Sequence, residues 1–494
     1  MKRLTALLLA LLVVFCSCGN SSETPSTNEN NESNSSESLN ELSIPYISND
    51  SLNPYSVYSS VNIAVIPLLY DSLVLVNNNF EAEMLIAEKV EKSASILTVT
   101  LKNDIYFSNG NKLTASDVVF SFRYLKARNS YYAGKLSGFS SAVAKGENQV
   151  VFTLSSPDKK AVCNLDFPIT HQASGVISPV GSGRYVLSSK DNSPVLTVNE
   201  KNQKMANAAL KEIKLVSIPD NDSLFYAIKT GDINIVPSDL SLGGILGSFC
   251  EIKSVNTSNF VYLGVSENSS LNNRLLRKYV SAALDRNVIV SSGNYISSVE
   301  SSLPLFPNWG DVFSLNLNQT EKDKTLIETI KSNESITFSE GKLHINSKRI
   351  TLRLLFCEDS SEKKAFANAV ALQLSAAGIE VKLEGKNYSA YKTAVANRDY
   401  DLYLGEVKLS NSLSLLPLMN SSEFGLSVSS EIKNAYISYC NGQLGEKEFL
   451  NSFNEDLPFI PIMFKSSTLA YSKGITKGIN PMVSDSYFNL QNLK

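Results

Sequence analysis

Leu97, Val99 and Leu101 alternate with Thr98, Thr100 and Lys102, the two-residue period of a strand with one buried face. Asn103-Asp104 offers a turn and residues 105–107 a second short strand. Asn109-Gly110 then gives the strongest two-residue turn signal, so the stretch reads as a small antiparallel unit. Thr114 follows as a helix N-cap with Asp117 three residues on. Ala115, Val118, Val119, Phe122 and Leu125 fall on one helical face, which predicts a helix docked on the strands.

The same reading finds an α/β unit over 351–383. Leu352, Leu354 and Phe356 alternate as a strand, and Phe366, Ala369, Val370, Gln373, Leu374 and Ala377 line a helix that Gly378 ends. Ile379, Val381 and Leu383 then alternate again, and a right-handed crossover of this kind requires parallel strands. A shorter unit is read over 213–235: strand 213–218, helix 222–229, a cap at Gly231 and strand 232–235. Residues 260–265 read as a further strand. Residues 277–290 read as one helix with Leu276, Tyr279, Val280, Ala283 and Leu284 on its buried face. At its end Asp285 and Arg286 are expected as a surface ion pair. In GSGRY, residues 181–185, the two glycines mark a turn between strands; Val195, Thr197 and Asn199 follow in strand pattern, whereas a phosphate loop needs a helix.

The N-terminus obeys a different pattern. Lys2-Arg3 precedes an apolar run from Leu4 to Phe15, too short for a bilayer core of ~30 Å, and is read as an export signal. Residues 19–41 are nearly all Asn, Ser, Glu and Thr, cannot offset their ordering entropy, and are expected as a flexible tether. A coil of ~20 residues reaches about 25 Å.

At 494 residues the chain can bury more than one core. It is 43% hydrophobic with a formal charge of −3, which supplies no basic footprint for nucleic acid. Two His and scattered Cys at 163, 250, 357 and 440, without CxxC spacing, leave little for a metal site, and no cofactor is expected. Four thiols allow three pairings or none, and the spacing does not choose. G-x-S-x-G, H-E-x-x-H and Walker motifs are all missing from the sequence, so an enzyme is not expected.

The run LTVTLKNDIYFSNGNKLTASDVVFSFRYLK resembles the signature of the extracytoplasmic solute-binding proteins of the peptide/nickel type, the receptors of oligopeptide and dipeptide ABC importers. Phe107, Asn109, Gly110, Leu113, Thr114, Ala115, Asp117, Val118, Phe120, Ser121 and Phe122 match it at the right spacing. Further likenesses follow in the family's order: 51–54 (SLNP), 66–74 (IPLLYDSLV), 181–185, 277–290 (RKYVSAALDRNVIV), 399–407 (DYDLYLGEV) and 459–464 (FIPIMF). Arg184 stands where the family has Pro.

The resemblance implies an α/β, two-lobed periplasmic-binding-protein-like fold of the class II or cluster C type, with an extra subdomain in the first lobe. Its expected divisions are a signal peptide 1–18, a tether 19–41, lobe I 42–258, lobe II 259–465 and a return to lobe I over 466–494. Phe15-Cys16-Ser17-Cys18 is similar to a bacterial lipobox, implying a diacylglyceryl thioether on Cys18, although Phe15 replaces the usual Leu and Cys16 competes. An ordinary secretory peptide is the alternative. Two acyl chains hold a protein at a membrane where one does not.

Function follows from the same likeness. The implied protein is a monomeric, membrane-anchored receptor that captures a short peptide by hinge closure and presents it to ABC permease subunits. Tyr55, just past Pro54, is placed near the cleft, with a packed aromatic as its alternative role. In the peptide receptors the loop after the 399–407 motif commonly carries an Asp for the peptide ammonium; here that position falls on Ser414, in a loop that also presents Ser412. Either Glu406 supplies the counter-charge or the ligand is not a free-amine peptide, since an unpaired buried ammonium is costly. An oligosaccharide receptor, a metal-chelate receptor and a sensor of the same fold are the competing readings. A single Trp, Trp309, and two His, His171 and His344, make the first two less favoured.

Overall fold

The computed structural model describes residues 42–493 except 128–129, 221–222, 239–249, 294–297, 317–318, 334–335, 421 and 476–477. The leader, Cys18 and the tether lie outside the described residues.

Hydrophobic residues gather into two principal cores. One is built from 42–215 together with the C-terminal Leu469, Tyr487, Leu490 and Leu493. The other is built mainly from 260–464. A small third cluster joins Ile47, Val61, the helix Ser223–Thr230 and Ala470.

The first core is covered by two four-stranded sheets. In one, Leu42–Tyr46 runs parallel to Glu212–Ser217, which continues antiparallel into Ser193–Val198 and Tyr185–Lys190. The other orders Ala87–Ser93, Ile96–Leu101, Gln149–Leu154 and Phe139–Ala144, all antiparallel. Ile96–Leu101 alternates in burial as its sequence demands. Its neighbours, however, are 87–93 and 149–154, not residues 105–107. Those make only the isolated bridge Tyr106↔Lys112 around the Asn109-Gly110 turn, where Gly110 takes φ +86°. The helix Ala115–Ala127 packs Phe122 against Phe139 and Phe152. Thr114 donates its N–H and hydroxyl to the Asp117 carboxylate, at 2.9 and 2.7 Å, fixing the helix start.

The second core lies on a seven-stranded sheet whose path runs 235–238, 459–472, 250–265, 402–408, 351–357 and 380–386, with 298–300 pairing beside 459–472. Thr351–Cys357 and Glu380–Lys386 are parallel and joined by the helix Ser361–Ala376, as the periodicity predicts. The 213–235 unit is different. Glu212–Ser217 and Ile235–Ser238 fall in separate sheets, linked through Asn234, whose side chain accepts from Ser43 N at 2.8 Å.

Residues 277–290 do not form one helix. Arg274–Ala282 stops, and Asp285 caps a second helix, Arg286–Ser292, by accepting from Asn287 N at 3.0 Å. Arg286 is not a surface partner of Asp285. It is buried and donates to the carbonyls of Ser301, Pro461, Ser281 and Leu284, satisfying the guanidinium with main-chain oxygens at the helix break. Arg184 is also buried, pairing with Asp485 at 2.6 Å and reaching Tyr487 O and Gln491, so it pins the C-terminal segment to the first core.

Two long strands, Cys250–Val265 and Phe459–Ser472, pass from one core to the other. Their antiparallel register breaks between Asn256↔Ser466 and Phe260↔Phe464. Such a break bends and twists a ribbon locally, and here it falls between the two bodies.

Candidate functional site

Two cavities lie between the two bodies, of about 630 and 660 Å³. They share Tyr131, Lys135 and Lys408 in their walls. Clefts of this size at domain junctions are where small ligands settle.

The walls come from short segments that close on one another. Residues 158–166 follow the strand Gln149–Leu154 and carry Asp158, Asn164 and Asp166; residues 410–414 follow Leu402–Lys408 and carry Ser410, Asn411, Ser412 and Ser414. Asn164 and Ser412 bond reciprocally at 3.1 Å, Nδ2 donating to Oγ and Ser412 N donating to Oδ1. Ser412 Oγ donates to Asp158 at 2.6 Å. Asn411 donates to Asp166 at 2.6 Å, on the same oxygen that pairs with Lys135 at 2.6 Å. These bonds fasten the bodies together at the floor of the second cavity.

Charge in the site is mostly paired. Asp166 has Lys135. Asp485 has Arg184. Asp71 borders the first cavity, and burial pushes its carboxyl up to about 6, against the pull of Lys204 and Arg184 and a hydrogen bond from Ser182. Asp158 forms no ion pair among the described residues; burial raises its pKa, while Ser412 and the Lys160 N–H stabilise the charged form. Among the described residues, Lys408 meets only the Tyr131 hydroxyl at 3.4 Å and the face of that ring, 4.9 Å from Nζ to centroid.

The four residues expected to meet ligand are not all at this site. Tyr55 is 4% exposed, its hydroxyl 2.6 Å from Thr170 Oγ1 and its ring edge-on to Phe120 and Tyr124. It is a packed aromatic of the first core, because the turn at Pro54 directs it inward. Glu406 borders neither cavity. Its carboxylate receives Lys465 at 2.8 Å, Lys363, and Asn259 at 3.0 Å. Burial opposes its charge, yet the two lysines outweigh that and hold its pKa below the ordinary carboxylate range. Ser412 is buried in the clasp, and Ser414 borders the second cavity with its Oγ 3.5 Å from the Tyr436 hydroxyl.

No period or motif in the sequence marks Asp158, Asn164, Asp166 or Tyr131. The available signal was Asp158 and Asp166 flanking an Asn in a segment opened by Pro157. Among the described residues, Cys163, Cys357 and Cys440 form no disulfide. Trp309 lies outside both cavities and is held in the second core, donating to Asn79 O at 2.7 Å.

Residues 75–414 match the profile of bacterial extracellular solute-binding proteins, family 5 Middle. Over 484 residues the chain is 23% identical to the oligopeptide-binding protein AppA of Bacillus subtilis, covering 90% of this chain and 87% of AppA. The crystal structure of B. subtilis AppA with a nonapeptide superposes with a TM-score of 0.55 at 20% identity, over 92% of this chain and 98% of that one. The open, unliganded form of the periplasmic murein tripeptide-binding protein MppA gives 0.72 at 18% identity, over 92% and 97%. NikA from Brucella suis, in complex with Fe(III)-EDTA, gives 0.65 at 16%, over 92% and 99%.

Proposed function

The chain belongs to the bacterial extracellular solute-binding proteins of family 5, and from that membership we propose that it captures short peptides outside the membrane and delivers them to an ABC permease. The likeness to AppA, an oligopeptide-binding protein, supports the ligand class. In this reading the peptide lies in the two interlobe cavities, its main chain hydrogen-bonded by the polar loops 158–166 and 410–414, with roomy spaces for side chains. The protein acts as a monomer, tethered through a thioether on Cys18, and leaves its ligand chemically unchanged. Closure turns about the register break between Asn256 and Phe260, and the clasp at Ser412 is the closed contact.

One observation carries the assignment of a free-amine ligand. Asp158 borders the cavity that Ser414 also borders and has no direct ion-pair partner among the described residues, Lys92 favouring its charge only from beyond ion-pair distance. A peptide ammonium supplies that partner, so the counter-charge comes from the 158–166 loop and not from Glu406.

Isothermal titration of a free-amine peptide and its N-acetylated form tests this. Asp158→Asn should weaken the first by about tenfold or more and the second little. Equal losses would remove Asp158 from ammonium recognition. A second reading, an anionic metal chelate, is favoured by Lys408, which has no carboxylate partner among the described residues. Native mass spectrometry of protein released from membranes separates the two: peptide masses support the first, a metal-bearing adduct the second. Release from the membrane fraction on Cys18→Ser tests the anchor; retention would exclude it.

A further inference from the structure

A third cavity, of about 430 Å³, opens in the second body and shares no wall residue with the interlobe cavities. Its walls carry four cations, Arg274, Arg277, Arg398 and Lys433, against two carboxylates, Glu267 and Asp456. Both carboxylates are already engaged. Asp456 takes Arg274 at 3.0 Å, Arg277 at 3.7 Å and the Ser429 hydroxyl at 3.1 Å. Glu267 takes Arg398 at 2.8 Å.

Donors are left over. Lys433, half-buried, forms no ion pair among the described residues. Among the described residues, Arg277, 9% exposed, has no acceptor for its Nε, and the buried Ser427 hydroxyl has no partner. Buried N–H and O–H groups are nearly always satisfied, so two orphans on residues that line one cavity call for an explanation. A carboxylate or phosphate provides it. Such a group offers several acceptor lone pairs to the planar guanidinium and neutralises the surplus charge, whereas chloride matches only the charge.

We propose that this cavity binds a small oxyanion of the phosphate or short polycarboxylate kind, with Arg277 and Ser427 as directional donors and Lys433 as the point charge. The volume exceeds that of inorganic phosphate, which leaves room for the polycarboxylate. The site sits apart from the cleft, so occupancy of one does not require the other.

The test uses the whole protein, with sodium phosphate and sodium citrate titrated against sodium chloride at matched ionic strength, read by melting temperature and calorimetry. A saturable rise in melting temperature with phosphate or citrate is expected. Lys433→Glu should weaken that binding by about tenfold or more, Ser427→Ala should weaken it less, and Lys433→Arg should retain it. Peptide affinity should be unchanged in all three variants. No stabilisation beyond chloride, or wild-type anion binding in both Lys433→Glu and Ser427→Ala, would overturn the site. Neither outcome depends on whether peptides bind the cleft.

Discussion

Ser412 Oγ donates to the Asp158 carboxylate across 2.6 Å, although the two residues stand 254 positions apart and on opposite bodies of the fold. Asn411 to Asp166 and the reciprocal Asn164–Ser412 pair lie beside it. Hydrogen bonds to charged groups are worth about 1.5–3 kcal/mol each, enough to tip a hinge closure of the kind proposed above. Ser412→Ala removes the bond to the Asp158 carboxylate together with the neutral contacts to Asn164 Nδ2 and Ser410 Oγ, and under the proposed closure should shift the population toward the open form. Small-angle scattering should then show a larger radius of gyration, with weaker ligand binding. An unchanged radius and affinity would mean that closure is held elsewhere.

Glu406 makes a contrasting prediction. Its charge is spent on Lys363, Lys465 and Asn259 within the protein. Glu406→Gln leaves two lysines competing for less negative charge, and breaking a buried pair costs about 3–5 kcal/mol. Thermal stability should fall, and free-amine and N-acetylated peptides should lose affinity together. A loss confined to the free-amine peptide would restore Glu406 as the ammonium partner and displace Asp158.

Asp71 gives a pH dependence with a definite sign. Burial raises its pKa from the ordinary 3.8 to about 6, so the folded protein binds that proton more tightly than the unfolded chain. Stability from this group therefore grows as pH falls from about 6 toward 3.8 and is absent above about 6. Asp71→Asn has no such titration. Its melting temperature relative to wild type should be higher at about pH 7.5 than at about pH 4.5; the reverse order would show that Lys204 and Arg184, not burial, govern the group.

Legibility in the sequence tracked the range of the interactions. The unit Thr351–Cys357, Ser361–Ala376, Glu380–Lys386 was plain because its period changes from two to 3.6 and back, with Ser360 capping one end and Gly378 at φ +88° closing the other. The strand Ile96–Leu101 was equally plain, but alternation reveals a buried face and not the neighbour, which comes from Gln149–Leu154. In the sequence Arg286, a charged residue beside Asp285, has the look of a surface pair. What decides its role is the Pro461 carbonyl, 175 residues away, and a helix break that packing imposes. The clasp and Asp158 were invisible for the same reason: loops assemble them, and loops carry no period.

Gly264 and Gly405 make the last prediction. In the antiparallel pairing of Cys250–Val265 with Leu402–Lys408, Gly264 faces Tyr403 and Tyr262 faces Gly405. Each ring lies over the glycine opposite, as the two hydroxyls meet at 2.9 Å. A Cβ on Gly264 would fall 1.8 Å from Tyr403 Cε1, and one on Gly405 2.6 Å from Tyr262 Cζ. Both rings are about fully buried and cannot swing out without breaking that hydroxyl contact. Overpacking a filled core costs about 1–3 kcal/mol or more, so Gly264→Ala should lower the urea midpoint clearly. Gly134→Ala, in the short helix Ala133–Leu136 with nothing within 4 Å of its added methyl, should be neutral or gain up to about 1 kcal/mol. Equal effects of the two substitutions would show that the tyrosine pair yields, and that the reciprocal ring-over-glycine packing does not fix this sheet.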